Sequence, residues 1–97
     1  MATQDDLKLK LLGDSGELKL FQATSKSQSI LSNHTTSGDA VVIVEEGSGV
    51  LLMNGEKKHL KKGDFVIIHK GEEHSLEVDA DFRAKIAMSN NAEIEPK

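Results

Sequence analysis

The four histidines are the residues of this chain best suited to chemistry, and cysteine is absent. Without cysteine there can be no disulfide, thiolate nucleophile or cysteine-ligated zinc. An imidazole can bind a transition metal, or accept and release a proton near neutral pH. Three histidines, or two histidines and a carboxylate, are the usual minimum for a transition metal with an open position. The chemistry therefore depends on which histidines share a pocket and on whether a third ligand joins them.

His69 is a candidate metal ligand, whereas His59 is not. His69 follows the apolar run Phe65–Ile68, and strand alternation places it on the same face as Ile67. If that face lines the lumen of a barrel, His69 could be a third ligand; the interpretation we favour is a turn residue at the rim. His59 precedes Leu60, so with Leu60 pointing inward His59 points to the surface.

Short alternating or apolar runs, separated by turn signals, must position these histidines. Leu7 to Leu11 and Glu17 to Phe21 alternate apolar and polar residues with period two. The dipeptide Asn54-Gly55 is a strong hairpin signal, because both positions tolerate a positive φ. Turn signals recur about every eight to twelve residues, which predicts an all-β sandwich or barrel of roughly eight to ten strands. The other runs predicted as strands are Ala40–Val44, Val50–Met53, Phe65–Ile68, Ser75–Val78 and Phe82–Met88.

The length of 97 residues fits one domain. We expect its core at about residues 7–89 and a polar tail, 90–97, that is frayed.

From Gly47 to His74 the sequence resembles the cupin superfamily, which is known by two motifs separated by a hairpin. The second cupin motif reads Gly, five residues, Pro, one residue, Gly, two residues, His. Gly63, Gly71 and His74 fall on it in register, and its Pro is replaced by His69.

The first cupin motif is less complete in this chain. It reads Gly, five residues, His, one residue, His, three or four residues, Glu, six residues, Gly, and its last Gly can be anchored on Gly47. With the shorter spacer, His34 takes the first His position, Thr36 the second and Ala40 the Glu position. The stretch from His34 to Ala40 resembles a subgroup of small cupins in which this substitution is normal and no function is firmly attached. Typical cupin sites offer three His and one Glu, so the resemblance implies an eroded metal-binding set.

The resemblance, which covers about Ser29 to Met88, implies a small double-stranded β-helix, the jelly-roll-like barrel of cupins. It implies that His34 and His74 face one pocket, where they could hold a metal, act as base and acid, or bind a carboxylate. Alternatively, they are barrel-mouth residues that hydrogen-bond to their neighbours. The expected metal is at most a weakly bound Ni²⁺, Zn²⁺, Fe²⁺ or Mn²⁺ on His34 and His74, and no other cofactor is expected. The full set of expected pocket residues is His34, Thr36, Ala40, Val42, Val44, Leu52, Phe65, Ile67, His69 and His74.

Three functions are compatible with this pocket. The leading hypothesis is a stand-alone module that binds an unidentified small molecule in an apolar barrel, because such pockets are mostly apolar with few polar groups. The alternative is a divalent-metal-dependent enzyme, of the oxygenase or isomerase type, that uses His34 and His74. A third possibility is a structural partner protein with a filled barrel. Whether the chain catalyses a reaction stays open at this point.

The composition argues against nucleic-acid and membrane partners. The formal net charge is -4, whereas duplex binding draws on clustered Lys and Arg. With no Trp, no Tyr and three Phe, a platform for stacking bases is not expected. No apolar run approaches the ~20 residues of a membrane helix, and we expect a cytoplasmic protein.

A homodimer is expected from the strand Ala40–Val44. Val41 and Ile43 face away from the other residues of this strand, yet both are large and apolar. Such a face on a small domain needs a cover, and a second subunit is a natural candidate.

Overall fold

The computed structural model describes residues 7–89 and 94–96, and within these ranges the chain forms ten strands. Every strand pairing is antiparallel, so the prediction of an all-β protein is confirmed. The strands are β1 (Lys8–Asp14), β2 (Leu18–Ser25), β3 (Ser29–Thr36), β4 (Ala40–Glu46), β5 (Ser48–Met53), β6 (Glu56–Lys61), β7 (Phe65–Ile68), β8 (His74–Val78), β9 (Phe82–Ser89) and β10 (Ile94–Pro96). Asn54 and Gly55, with φ of 56° and 76°, form the turn between β5 and β6, as the hairpin signal predicts.

The strands form two five-stranded sheets, in the orders β1-β2-β9-β4-β7 and β10-β3-β8-β5-β6. The largest fully buried side chains include Phe82, Leu51 and Leu60, and they belong to one apolar core cluster that draws on both sheets. Alternation along β4 turns residues 40, 42 and 44 inward, while Ile43 is 43% exposed on the outer face. The inward faces of the two sheets therefore supply both the core and the walls of any pocket.

Strand β3 contains a bulge that decides which of its side chains face inward. Upstream, Leu31 pairs with Leu76 of β8, and one extra residue then precedes the pairing of His34 with His74. A single inserted residue reverses the alternation of faces. The inward positions are therefore odd-numbered before the bulge and even-numbered after it, so His34 and Thr36 are buried.

The sequence did not lead us to predict β3 or β10. β3 has no clear alternation because of its bulge, and β10 spans only three residues. Residues 94–96 pair with β3, so the expectation of a frayed tail is wrong for these three residues. The rest of the expected tail, 90–93 and 97, lies outside the described residues.

Three residues expected in the pocket lie on the outer surface instead, and we correct their placement. Leu52, Phe65 and Ile67 are 41%, 59% and 52% exposed. β5 and β7 are apolar at consecutive positions, so alternation of residue type does not show which face is buried. The inward positions are taken by Leu51, Val66 and Ile68.

Among the described residues, nothing helical has the length and apolarity that a membrane crossing would need.

Candidate functional site

A small apolar cavity of about 50 Å³ lies between the two sheets. By the same measure one water molecule needs about 10–15 Å³, so the cavity has room for about three to five water-sized groups. Five of the residues expected from the sequence line it, and they come from β3, β4 and β8. These residues are His34, Thr36, Ala40, Val42 and His74.

The remaining expected residues do not line the cavity. Val44 is buried, but it packs in the core cluster with Phe82 rather than on the cavity wall. His69 is exposed, so the alternative that it supplies a third ligand from the lumen is wrong. Its carbonyl accepts a hydrogen bond from the backbone N–H of Glu72 at 3.1 Å, which agrees with a turn residue at the rim.

His34 and His74 form the polar end of the cavity. They are directly opposite each other on β3 and β8, and each is about 95% buried, with exposed fractions of 5% and 4%. Their ring centroids are 4.0 Å apart and the planes meet at 63° in an edge-to-face contact. The bulge in β3 makes this contact possible, because it turns His34 to the same face as His74.

The loop between β7 and β8 holds the His74 ring in place. Nδ1 of His74 lies 2.9 Å from the carbonyl oxygen of Glu72. The Glu72 carboxylate in turn accepts hydrogen bonds from the Asn54 side chain at 2.9 Å and from the backbone N–H of His69 at 2.8 Å. These hydrogen bonds, first from Asn54 and then from His69, hold the pKa of Glu72 below its ordinary value of 4.5. Glu72 thus ties the β5–β6 turn to the loop that orients His74.

A second set of hydrogen bonds joins the end of β3 to the same loop. The backbone N–H of Gly71 donates to the carbonyl oxygen of Thr36 at 3.0 Å. The Thr36 hydroxyl donates to the carbonyl oxygen of Gly38 at 2.8 Å. The backbone N–H of Lys70 donates to Oδ1 of Asp39 at 2.8 Å. Thr36 and Asp39 therefore serve the local structure around the cavity.

The donor set of the cavity does not fit a resident transition metal. Within the described residues there is no group of three or more His, Cys, Asp or Glu side chains that could hold a metal ion. Ala40 lines the cavity where the cupin-like pattern would place a carboxylate, and it carries no donor atom. The Thr36 hydroxyl already bonds to a carbonyl. Two neutral imidazoles alone offer no charge to balance a divalent ion.

Several cavity residues were not anticipated from the sequence. The apolar wall also includes residues of β1, β3, β5, β7, β8 and β9, whose positions follow only once the register is known. The role of Glu72 was missed because its partner Asn54 lies in a different turn, 18 positions away in sequence. The unanticipated wall residues include Leu9, Leu31, Leu51, Val66, Ile68, Ile86 and Met88.

Comparison with known proteins agrees with this architecture. The family model described as a cupin domain matches residues 22–89. No curated protein matches the chain.

Several solved structures share the fold at low sequence identity. KdgF from Halomonas sp. has a TM-score of 0.83 at 16% identity, with 94% of this chain and 84% of that chain covered. The polyketide cyclase RemF from Streptomyces resistomycificus has a TM-score of 0.82 at 16% identity, with 98% and 73% covered. A salicylate 1,2-dioxygenase from Pseudaminobacter salicylatoxidans has a TM-score of 0.80 at 22% identity, with 98% of this chain but only 32% of that chain covered. At such identities the likeness shows the fold alone, a jelly-roll barrel. The cupin-domain model matches most of this chain, residues 22–89, and the chain therefore belongs to the cupin family.

Proposed function

We propose that this protein is a small-molecule-binding module whose ligand occupies the cavity between the sheets. The observation that carries the proposal is the combination of an apolar wall with a buried pair of histidines at one end. Apolar walls give a ligand its affinity, and a few fixed polar groups give it its orientation. His34 and His74 are the polar contacts, and Val42, Leu51 and Ile86 are among the apolar ones.

The donor set supports binding over the alternative of a metal-dependent cupin enzyme. Some proteins with this fold are named as enzymes, among them the dioxygenase and the cyclase above, but fold alone does not set function. A metal-dependent reaction would need a third ligand beside His34 and His74, and Ala40 does not supply one. The cavity likewise favours a binding module over a structural protein with a filled barrel.

A fragment-binding experiment tests the proposed function. We expect small, mostly apolar molecules to cause saturable chemical-shift changes in the methyl groups of Val42 and Ile86. Ala40→Leu places a larger side chain on the cavity wall and should abolish these changes. Ala80→Leu makes the same substitution at an exposed turn position and should leave binding intact. Binding that survives in a folded Ala40→Leu protein, or shifts confined to the outer surface, would contradict the proposal.

We also propose that the chain acts as a homodimer, formed through the outer face of the sheet that contains β4. Register places Leu20, Ala87, Val41 and Ile67 side by side across β2, β9, β4 and β7. Phe65 and Ile43 form a paired second row. The four large residues at the surface, Leu20, Ile43, Phe65 and Ile67, are 37%, 43%, 59% and 52% exposed.

A second copy is the occupant that suits this face. Leu18, 59% exposed, extends the apolar rows, and at about 200 Å² for a whole large side chain these residues expose on the order of 500 Å². A standard interface takes about 800 Å² from each partner, with an apolar core inside a polar rim. Two of the neighbouring cations have ion-pair partners within the chain, because Arg83 and Lys85 contact Glu45 at 3.2 and 2.7 Å. An apolar sheet face with charged residues at its margin matches another copy of itself in an isologous interface.

The dimer is tested by sedimentation of the unmodified protein and of two matched variants. We expect twice the mass of one chain for the wild type, and a single chain for Ile67→Asp. Leu52→Asp places the same charge at an exposed leucine of the other sheet and should leave the dimer intact. A monomeric wild type, or a dimer unaffected by Ile67→Asp, would rule out this interface.

We propose a cytoplasmic location with this function, since a chain without cysteine gains nothing from an oxidising compartment.

A further inference from the structure

The hydrogen bond between His74 and Glu72 fixes which ring nitrogen of His74 carries a proton. Nδ1 lies 2.9 Å from the carbonyl oxygen of Glu72, and a carbonyl oxygen can only accept. Nδ1 must therefore be the donor. A neutral imidazole has one N–H, so Nε2 of His74 carries a lone pair and acts as an acceptor.

Among the described residues, this acceptor has no hydrogen-bond partner. Within residues 7–89 and 94–96, the structure gives His74 one hydrogen bond, the one made by Nδ1. His74 is 4% exposed and lines the cavity, and no side-chain nitrogen or oxygen that is fully enclosed lacks a partner among the described residues. Nε2 therefore keeps access to the cavity. Because the walls around Nε2 are apolar, a hydrogen-bond donor placed beside it within the cavity would gain free energy from the bond.

The other groups around Nε2 define the rest of the ligand. The wall is apolar apart from the two histidines and Thr36, whose hydroxyl hydrogen is committed to Gly38. The cavity has no carboxylate to attract a cation among its described lining residues. Its volume of about 50 Å³ suits a molecule of about three to five non-hydrogen groups.

We propose that the cavity takes small aliphatic alcohols, with the ligand hydroxyl donating its hydrogen bond to Nε2 of His74. This inference rests on the proposed binding function and names the chemical class of its ligand. A ketone of the same size offers only an acceptor. Its carbonyl oxygen would leave Nε2 without a donor, and the lone pairs of the two atoms would repel each other.

The test compares 2-butanol with 2-butanone, which have the same carbon skeleton. Titrations at pH 8 are followed through the methyl groups of Leu31 and Ile86. We expect the alcohol to bind about threefold to tenfold more tightly than the ketone, which is the effect of one hydrogen bond. His74→Phe should abolish this preference. His59→Phe, the same change at an exposed histidine of β6, should preserve it.

The possible failures are distinguishable. If neither probe shifts the cavity methyl groups in a saturable way, the binding function itself fails. If both bind with equal affinity, or the ketone binds more tightly, the cavity is a binding site but the alcohol assignment is overturned. A long-range ¹⁵N–¹H spectrum of the wild type gives an independent test that needs no variant to fold. A proton on Nε2 rather than Nδ1 of His74 at pH 8 would overturn the inference.

Discussion

His34 and His74 face each other across two adjacent strands with their rings in edge-to-face contact, the centroids 4.0 Å apart. Both rings line the same small cavity. The pair thus resembles part of a metal site, and what it lacks is a charged ligand. Ala40, 6% exposed and on the same cavity, is the position from which such a ligand could reach that volume.

Ala40→Glu should therefore supply the third ligand that the histidine pair lacks. We expect the variant to gain affinity for Zn²⁺ through two histidines and one carboxylate. Without metal it should lose about 2 kcal/mol or more of unfolding free energy, because a carboxylate would lie in an apolar cavity. Metal at a hundredfold excess over its dissociation constant should restore about 2.7 kcal/mol. Calorimetric titration and melting curves with and without Zn²⁺ measure both effects.

Leu52→Glu is the control for this experiment, because Leu52 is exposed on the outer face of β5. It should gain no Zn²⁺ affinity. If Ala40→Glu likewise gains none and loses no stability, residue 40 does not face the histidine pair.

Leu51 and Leu52 are adjacent leucines that test which face of β5 is buried. Leu51 is 2% exposed within the core cluster, whereas Leu52 is 41% exposed. Leu51→Ala should lower the free energy of unfolding by about 2–5 kcal/mol, because it removes buried methyl groups and leaves a cavity. Leu52→Ala should lower it by about 0.5 kcal/mol or less. Denaturant unfolding of the two variants decides the point, and equal losses would show that the strand faces are assigned wrongly.

The two leucines also show which features of this fold can be predicted from the sequence and which cannot. Turn residues such as Asn54-Gly55 reveal where strands end, since their chemistry is local. The resemblance of the glycine and histidine spacing to the cupin motifs implied that His34, Ala40 and His74 share one cavity, and all three line it. The face of a strand is harder to predict when consecutive residues are all apolar, as at Leu51 and Leu52, because either alternate set could be buried.

The bulge in β3 and the role of Glu72 were beyond sequence reasoning for a different reason. An inserted residue shifts the pairing without any marked change in residue type, so only the register between Leu31 and His34 reveals it. The hydrogen bond between Asn54 and Glu72 joins two turns that approach each other only in the folded chain.

Glu72→Gln tests the hydrogen bonds that hold the loop before His74. The pKa of Glu72 is lowered in the folded protein, chiefly by its hydrogen bond from Asn54 and then by that from His69. The ionised carboxylate therefore contributes stability that is fully present above its unfolded pKa of about 4.5 and is lost as the pH falls through the lower folded value. We expect Glu72→Gln to be less stable than the wild type at pH 7, with the difference shrinking as the pH falls below 4.5.

Melting temperatures measured from pH 7 down to acid, with Glu73→Gln as the control, provide the comparison. Glu73 is the exposed neighbour of Glu72, and its variant should follow the wild type throughout. A difference between Glu72→Gln and the wild type that stays constant across the range would contradict the linkage.

Gly71 tests the turn that leads into β8. Its φ is 79°, with open space where a side chain would lie, and its N–H bonds to the carbonyl oxygen of Thr36. Gly71→Val should reduce the free energy of unfolding by at least ~1 kcal/mol, because a β-branched residue is strained at a positive φ. Gly13→Val also enters open space but at a position without a positive φ, so it should cost less. Thermal denaturation compares the two, and equal stability would mean that the turn does not constrain residue 71.

The bulge between Leu31 and His34 has a consequence for which deletions β3 can tolerate during evolution. The bulge places one extra residue of β3 between Leu31, which pairs with Leu76, and His34, which pairs with His74. Losing that spare residue would leave Leu31 opposite Leu76 and His34 opposite His74, with ordinary alternation between them. In a regular strand, a one-residue deletion would turn every later side chain to the opposite face. At this bulge, the same deletion leaves His34 and His74 paired on one face.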